Sequence, residues 1–172
     1  GGATQFWDVA VSSLIERRSA HGIYGEFSRK FASAAAAAPF LDDPVLAEAP
    51  AGSVAVPVAT AGVDTYCWAQ NETSTGVSAP VVRPAGIGDD ALVVLDATSA
   101  AGGMEVDLAQ TDVHYFAPQK NFASDGGLWL AFVSPAALER AARVTASRWA
   151  PETLDLTIAA TTPAAPQPPN TP

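Results

Sequence analysis

The chain holds only two lysines, Lys30 and Lys120, and the second stands where a cation is costly. In "VHYFAPQKNFASDGGLWLAF" Lys120 lies between an apolar run and a Gly-Gly pair. Upstream, Asp96 closes the apolar run "ALVVLD", and Gly1-Gly2-Ala3-Thr4 precedes a stretch with helical periodicity. A lysine that gives up its proton attacks carbonyl carbons. A carboxylate can hold a protonated ring nitrogen, and free N–H groups at a helix start bind an anion. Each residue also has a plainer reading. Asp96 before Ala97-Thr98-Ser99 suits a turn cap, Lys120 alone suits a solvated loop, and one Gly-Gly pair before a helix is a weak signal.

Together the three groups meet the needs of one ligand. Pyridoxal phosphate (PLP) requires an amine whose pKa is lowered by partial burial and a neighbouring pyridinium, so that it condenses with the aldehyde. It requires a carboxylate that keeps the ring nitrogen protonated, so that the ring can withdraw electrons. Its phosphate requires a helix end.

For these groups to meet, the intervening elements must deliver them to one rim. Apolar residues at Phe6, Val9, Ala10, Leu14 and Ile15 predict a helix over Ala3 to Arg18, with Arg17 and Arg18 in its last turn. "SAHGIYG" reads as a short strand, Glu26 to Ala38 as a helix stopped before Pro39, Pro44 to Ala49 as a strand, and Pro50 to Gly62 as a loop. "DTYCWAQ" (64–70), "ALVVLDA" (91–97), "DVHYFAP" (112–118) and "GLWLAFVSP" (127–135) are continuous apolar runs, the pattern of strands covered on both faces of an α/β sheet. Ala136 to Ser147 reads as a helix with Arg140 and Arg143 on its exposed side. The fourteen residues from Thr98 to Thr111 are enough for a parallel crossover. Such a crossover puts Asp96 and Lys120 at the carboxyl ends of neighbouring strands, where ligands of parallel sheets collect.

Composition narrows the field. At 172 residues and 48% hydrophobic, one domain with a sizeable core is expected. A net charge of −9 disfavours nucleic acid as a partner. No run reaches the roughly 18 apolar residues of a membrane helix, and no secretory signal opens the chain. The single Cys67, within Tyr66-Cys67-Trp68, reads as a buried small hydrophobe rather than a reactive thiol, which fits a reducing cytoplasm. No metal is called for, and no membrane.

The stretches "GGATQFWD", "YGEFSRKFASA", "NETSTGV", "ALVVLDATSAAGG", "YFAPQKNFASDGGLWLA" and "SPAALER" occur in an order that resembles a bacterial branch of the phosphoserine aminotransferases, class V aminotransferases among the fold-type-I PLP enzymes. The resemblance covers residues 1 to about 158, and the 24-residue interval from Asp96 to Lys120 is similar to the family's. It implies a three-layer α/β/α large domain with a mostly parallel mixed sheet over residues 1–158, followed by a Pro/Ala-rich flexible tail at 159–172. It implies pyridoxal 5'-phosphate as cofactor, and transfer of an amino group between glutamate and 3-phosphohydroxypyruvate, giving 2-oxoglutarate and phosphoserine. Partners are then these small molecules and a second copy of the chain, in a cytoplasmic homodimer.

By the same resemblance Lys120 condenses with the cofactor and shuttles the proton between the substrate Cα and the cofactor. Asp96 binds the pyridinium nitrogen, and Thr73 the region of the phenolic oxygen. Gly2, Ala3, Thr4 and Gln119 hold the phosphate, and Phe27 stacks on the ring, its alternative being a core phenylalanine. Asn170 and Thr171 match residues that reach the partner's cofactor phosphate in the family. Relative to the family, an N-terminal segment and the C-terminal small domain are missing, so this chain is expected to transaminate inefficiently by itself. Two other readings stand beside it: another class V PLP aminotransferase, and a non-catalytic remnant of a PLP domain.

Overall fold

A computed structural model describes residues 1–161, with helices gathered towards the two ends and strands in the middle. Helix α1 (Ala3–Ser13) leads into β1 (Ser19–Ile23), α2 (Glu26–Ala37), β2 (Val45–Glu48) and β3 (Thr65–Ala69). A small hairpin pairs β4 (Asn71–Glu72) with β5 (Val77–Ser78). Then follow β6 (Leu92–Asp96), β7 (Val113–Phe116), β8 (Leu130–Val133), α3 (Pro135–Ser147) and α4 (Leu156–Thr161).

Six strands form one sheet in the order β2-β1-β3-β6-β7-β8. The first five run parallel and β8 runs antiparallel to β7, so the sheet is mixed and mostly parallel. Its central strands are covered on both faces, the physical reason that they read as unbroken apolar runs. Along β3, Cys67 belongs to one core and Tyr66 and Trp68 to the other. Helices α1, α2 and α3 cover the first face, where Phe6, Val9, Phe31 and Ala141 pack with Cys67, Val94 and Tyr115. On the second face, loop residues Val56, Val81, Ile87 and Val106 pack against the core that holds Tyr66, Trp68 and Val93.

The crossover from β6 to β7 is built from turns and a 3-10 turn at Leu108–Gln110, and it returns the chain parallel. Asp96 and the segment after Phe116 therefore leave the sheet at the same carboxyl edge. Cys67 is fully buried, and burial pushes its thiol well above the ordinary range, as a small core hydrophobe requires.

Three elements depart from the periodicity. Helix α1 stops at Ser13 rather than running to Arg18, because the amides of Leu14 and Ile15 both turn back onto the Ala10 carbonyl. The amides of Glu16, Arg17 and Arg18 then donate to the Asp64 carboxylate at 3.1, 2.8 and 2.8 Å, so the two arginines lie beyond the helix. Arg140, expected on the exposed side of α3, is only 1% exposed. Its guanidinium donates to Asp64 at 3.2 Å and to the carbonyls of Leu14 and Asp90 at 3.3 and 2.8 Å. These acceptors come from distant loops, which helix periodicity cannot anticipate; Arg143 does stay exposed. Strand β8 is shorter than 127–135, and Leu130 and Phe132 are exposed, as befits an edge strand. Of the tail expected at 159–172, residues 159–161 close α4, and the rest, with Asn170 and Thr171, lies outside the described residues.

Candidate active site

The carboxyl ends of β3, β6 and β7 border a cleft of ≈ 240 Å³, which the first turns of α1 and α2 also line. All eight of the predicted site residues within the described chain lie on it: Gly2, Ala3 and Thr4 from α1 and its cap, Phe27 from α2, Thr73, Asp96, Gln119 and Lys120.

Asp96 is the last residue of β6; it caps a turn and also lines the cleft. Its Oδ1 accepts the Thr98 amide at 2.9 Å, closing a turn. Its Oδ2 accepts the Tyr115 hydroxyl at 2.9 Å and the Trp7 indole N–H at 3.3 Å, so side chains from β7 and α1 fix the carboxylate at the cleft. Tyr115 stacks on Phe6 with centroids 4.2 Å apart. Burial pushes its phenol well above the ordinary range, so it stays protonated and donates.

Lys120 corrects the expectation of a buried amine: it lines the cleft and is exposed. Pro118 is the last buried residue of the run that follows β7, and the chain then leaves the sheet. The loop carrying the lysine is nevertheless well held. Asn121 Nδ2 donates to the carbonyls of Ser99 and Ala101 at 3.2 and 3.1 Å, and the Phe122 ring stacks on Phe116 at 5.2 Å. Gly102 and Gly103 let the crossover lie close beneath this loop. A Cβ on Gly102, whose φ is +80°, would sit 2.9 Å from the Phe122 ring, and one on Gly103 would sit 2.6 Å from Asn121 Nδ2.

The start of α1 has the features of an anion site. Its cap, Gly2, has φ 71°; no side chain caps the helix, and no acid occupies the first turn. The Gln5 amide donates back to the Gly2 carbonyl at 3.0 Å, while the amides of Ala3 and Thr4 lack partners within the helix and carry its partial positive charge. Phe27 is 42% exposed and outside the cores, which removes the alternative of a core phenylalanine. Thr73 Oγ1 donates to Ser99 Oγ at 3.1 Å, and Asn71 Nδ2 donates to the same oxygen at 2.8 Å.

Trp7, Tyr115, Asn71 and Ser99 escaped the sequence reading. Trp7 could have been found, since it follows Ala3 and Thr4 by one helical turn. Tyr115 could not, because its place opposite Asp96 depends on the β6–β7 register. The assembled cleft suits a flat ring with an anionic group at one end and an electrophilic carbon within reach of the amine.

No protein-family model matches the sequence. A phosphoserine aminotransferase of Nocardioides sp. (strain ATCC BAA-499 / JS614) is 60% identical over 174 residues, which take in 100% of this chain and 46% of that protein. The chain is homologous to part of phosphoserine aminotransferase. It spans less than half the length of the curated relatives that it matches. The crystal structure of a phosphoserine aminotransferase from Cytophaga hutchinsonii superposes with a TM-score of 0.73 at 26% identity, covering 85% of this chain and 42% of that one. A PLP-bound phosphoserine aminotransferase from Trichomonas vaginalis shares the fold, with a TM-score of 0.70 at 20% identity over 99% of this chain and 48% of that one. The mixed, mostly parallel sheet is thus that of the fold-type-I aminotransferases.

Proposed function

We propose that residues 1–158 are the cofactor-binding large-domain portion of a phosphoserine aminotransferase that uses pyridoxal 5'-phosphate. The reaction exchanges an amino group between glutamate and 3-phosphohydroxypyruvate, in serine biosynthesis. A cytoplasmic homodimer belongs to the same reading, as does a role for Asn170 and Thr171 at the partner's cofactor phosphate. The convergence of Asp96, Lys120 and the α1 start on one cleft carries the proposal.

The donor set fits the cofactor. An uncapped helix start with no acid in its first turn suits a phosphate, and Asp96 keeps about one lone pair, on Oδ1, beyond the three bonds it accepts. When bound, pyridoxal phosphate supplies an electron sink for charge at the substrate Cα. Lys120 Nζ is the covalent anchor, and then the base that takes and returns the Cα proton. Asp96 accepts the ring N–H, held in place by Trp7 and Tyr115. Gly2, Ala3, Thr4 and Gln119 bind the phosphate, Thr73 the phenolic oxygen, and Phe27 offers a ring face.

Lys120 is the one basic side chain among the described residues lining the cleft. The anionic groups of the substrates therefore meet no bidentate guanidinium there, and transfer by this chain is slow. The test is glutamate formation from phosphoserine and 2-oxoglutarate in the presence of cofactor. The expected rate is low, is abolished in Lys120→Ala, and exceeds the rate with alanine as donor. Equal rates in the wild type and Lys120→Ala would contradict the role of Lys120, and equal rates with alanine would contradict the substrate.

A further inference from the structure

Glu72 is 0% exposed and lies on β4 between Asn71 and Thr73, both of which line the cleft. Glu72 itself serves the start of α2. Its Oε2 accepts the Ser28 amide at 2.8 Å and its Oε1 the Phe27 amide at 3.3 Å. Oε1 also accepts the Ser74 hydroxyl at 2.7 Å, while Ser74 Oγ accepts the Glu26 amide at 2.8 Å. Three successive first-turn amides of α2 thus end on Glu72 of β4 and on Ser74 in the turn that follows it. The cap position of that helix is Gly25, which has no side chain to do this work. Space makes Gly25 necessary: its φ of 179° is open to any residue, but a Cβ there would lie 2.3 Å from Glu72 Cγ. Burial raises the Glu72 carboxyl, but these hydrogen bonds outweigh it and hold the group below its ordinary value, so it is ionised.

The Phe27 side chain is half in solvent and belongs to no core cluster; beyond the Lys30 ammonium 5.9 Å from its centroid, the backbone of α2 sets where its ring stands. Its backbone amide is one of those that Glu72 holds. We infer that Glu72 is a positioning residue, fixing the ring of Phe27 against the bound cofactor from behind the cleft and locking it relative to Thr73. This role rests on the pyridoxal phosphate reading above.

A double-mutant cycle tests it, with cofactor affinity and induced visible circular dichroism measured for the wild type, Glu72→Gln, Glu72→Ala, Phe27→Ala and the Glu72→Ala/Phe27→Ala pair. Thermal melts of each ligand-free chain accompany it. Phe27→Ala is expected to weaken binding about tenfold, and Glu72→Ala by a similar factor with loss of the dichroic band. Glu72→Gln, which keeps an acceptor oxygen, should restore most of the affinity. The pair should bind within about twofold of Phe27→Ala alone, since both changes remove one interaction. Fully additive losses, or unchanged binding in Glu72→Ala, would overturn the role while leaving the cofactor reading intact. Wild-type chain that takes up no cofactor would overturn that reading and this role together. If Glu72→Ala does not fold, Glu72→Asp, whose shorter side chain draws the carboxylate back from the Phe27 and Ser28 amides, takes its place in the cycle under the same criterion of non-additivity.

Discussion

The decisive side chain is Asp96, whose two oxygens have different duties. One closes the turn with Thr98, and the other is gripped by Tyr115 and Trp7 at the cleft. Asp96→Ala should leave the sheet intact and weaken cofactor binding roughly tenfold to a hundredfold, the scale of one charge-assisted hydrogen bond, which a spectroscopic titration measures. Tyr115→Phe should cost about 1–2 kcal/mol in stability and a smaller part of the affinity. The two histidines set the acid limit. Burial pushes His21 down to about 3 from an ordinary value of 6.5, and lowers His114 too. Each binds a proton on unfolding, so stability is complete above the unfolded value and is lost as pH falls. As pH falls from 6.5 towards 5, the loss due to His21 should steepen towards a limit of about 1.4 kcal/mol per pH unit. Denaturant melts at stepped pH should show this slope, and His21→Leu should remove most of it. Of the residues that line the cleft, Asp96 and Lys120 were legible at this scale because each follows an apolar run, and Gly1-Gly2 because it precedes a helical pattern; Thr73, Phe27 and Gln119 were suggested by the resemblance alone. The exposure of Lys120 was not legible, since it depends on where the chain leaves the sheet after Pro118.

At the scale of elements, the site depends on close approaches that only glycine permits. Gly102 and Gly103 bring the crossover under Phe122 and Asn121, and these two hold the lysine loop. Gly102→Ala combines a disfavoured φ with a 2.9 Å approach to a ring, and should destabilise by about 1–3 kcal/mol while slowing labelling of Lys120. A thermal melt paired with the labelling rate checks both effects. The parallel strands were readable because burial on both faces leaves an unbroken apolar run in β3, β6 and β7. The end of α1 and the burial of Arg140 were not, because both are set by Asp64, a residue far away in sequence that collects the amides of 16–18 and a guanidinium.

At the scale of the whole molecule, the edge of the sheet carries an apolar patch. Phe122, Leu128, Leu130 and Phe132 are all exposed on or beside β8, an antiparallel edge strand. Exposed apolar edges associate, so sedimentation of this chain should show concentration-dependent self-association, reduced by a Leu130→Lys/Phe132→Lys pair. A monomer at all concentrations would contradict this. The central claim is that one cleft brings an amine, a carboxylate and a helix start to a single ligand. Its most direct test is to add pyridoxal phosphate to the chain, reduce with borohydride, digest, and locate the modified residue by mass spectrometry. The account predicts one stoichiometric label on Lys120, lost in competition with excess inorganic phosphate and diminished in Asp96→Ala. A label spread between Lys30 and Lys120, or absent from Lys120, would contradict it.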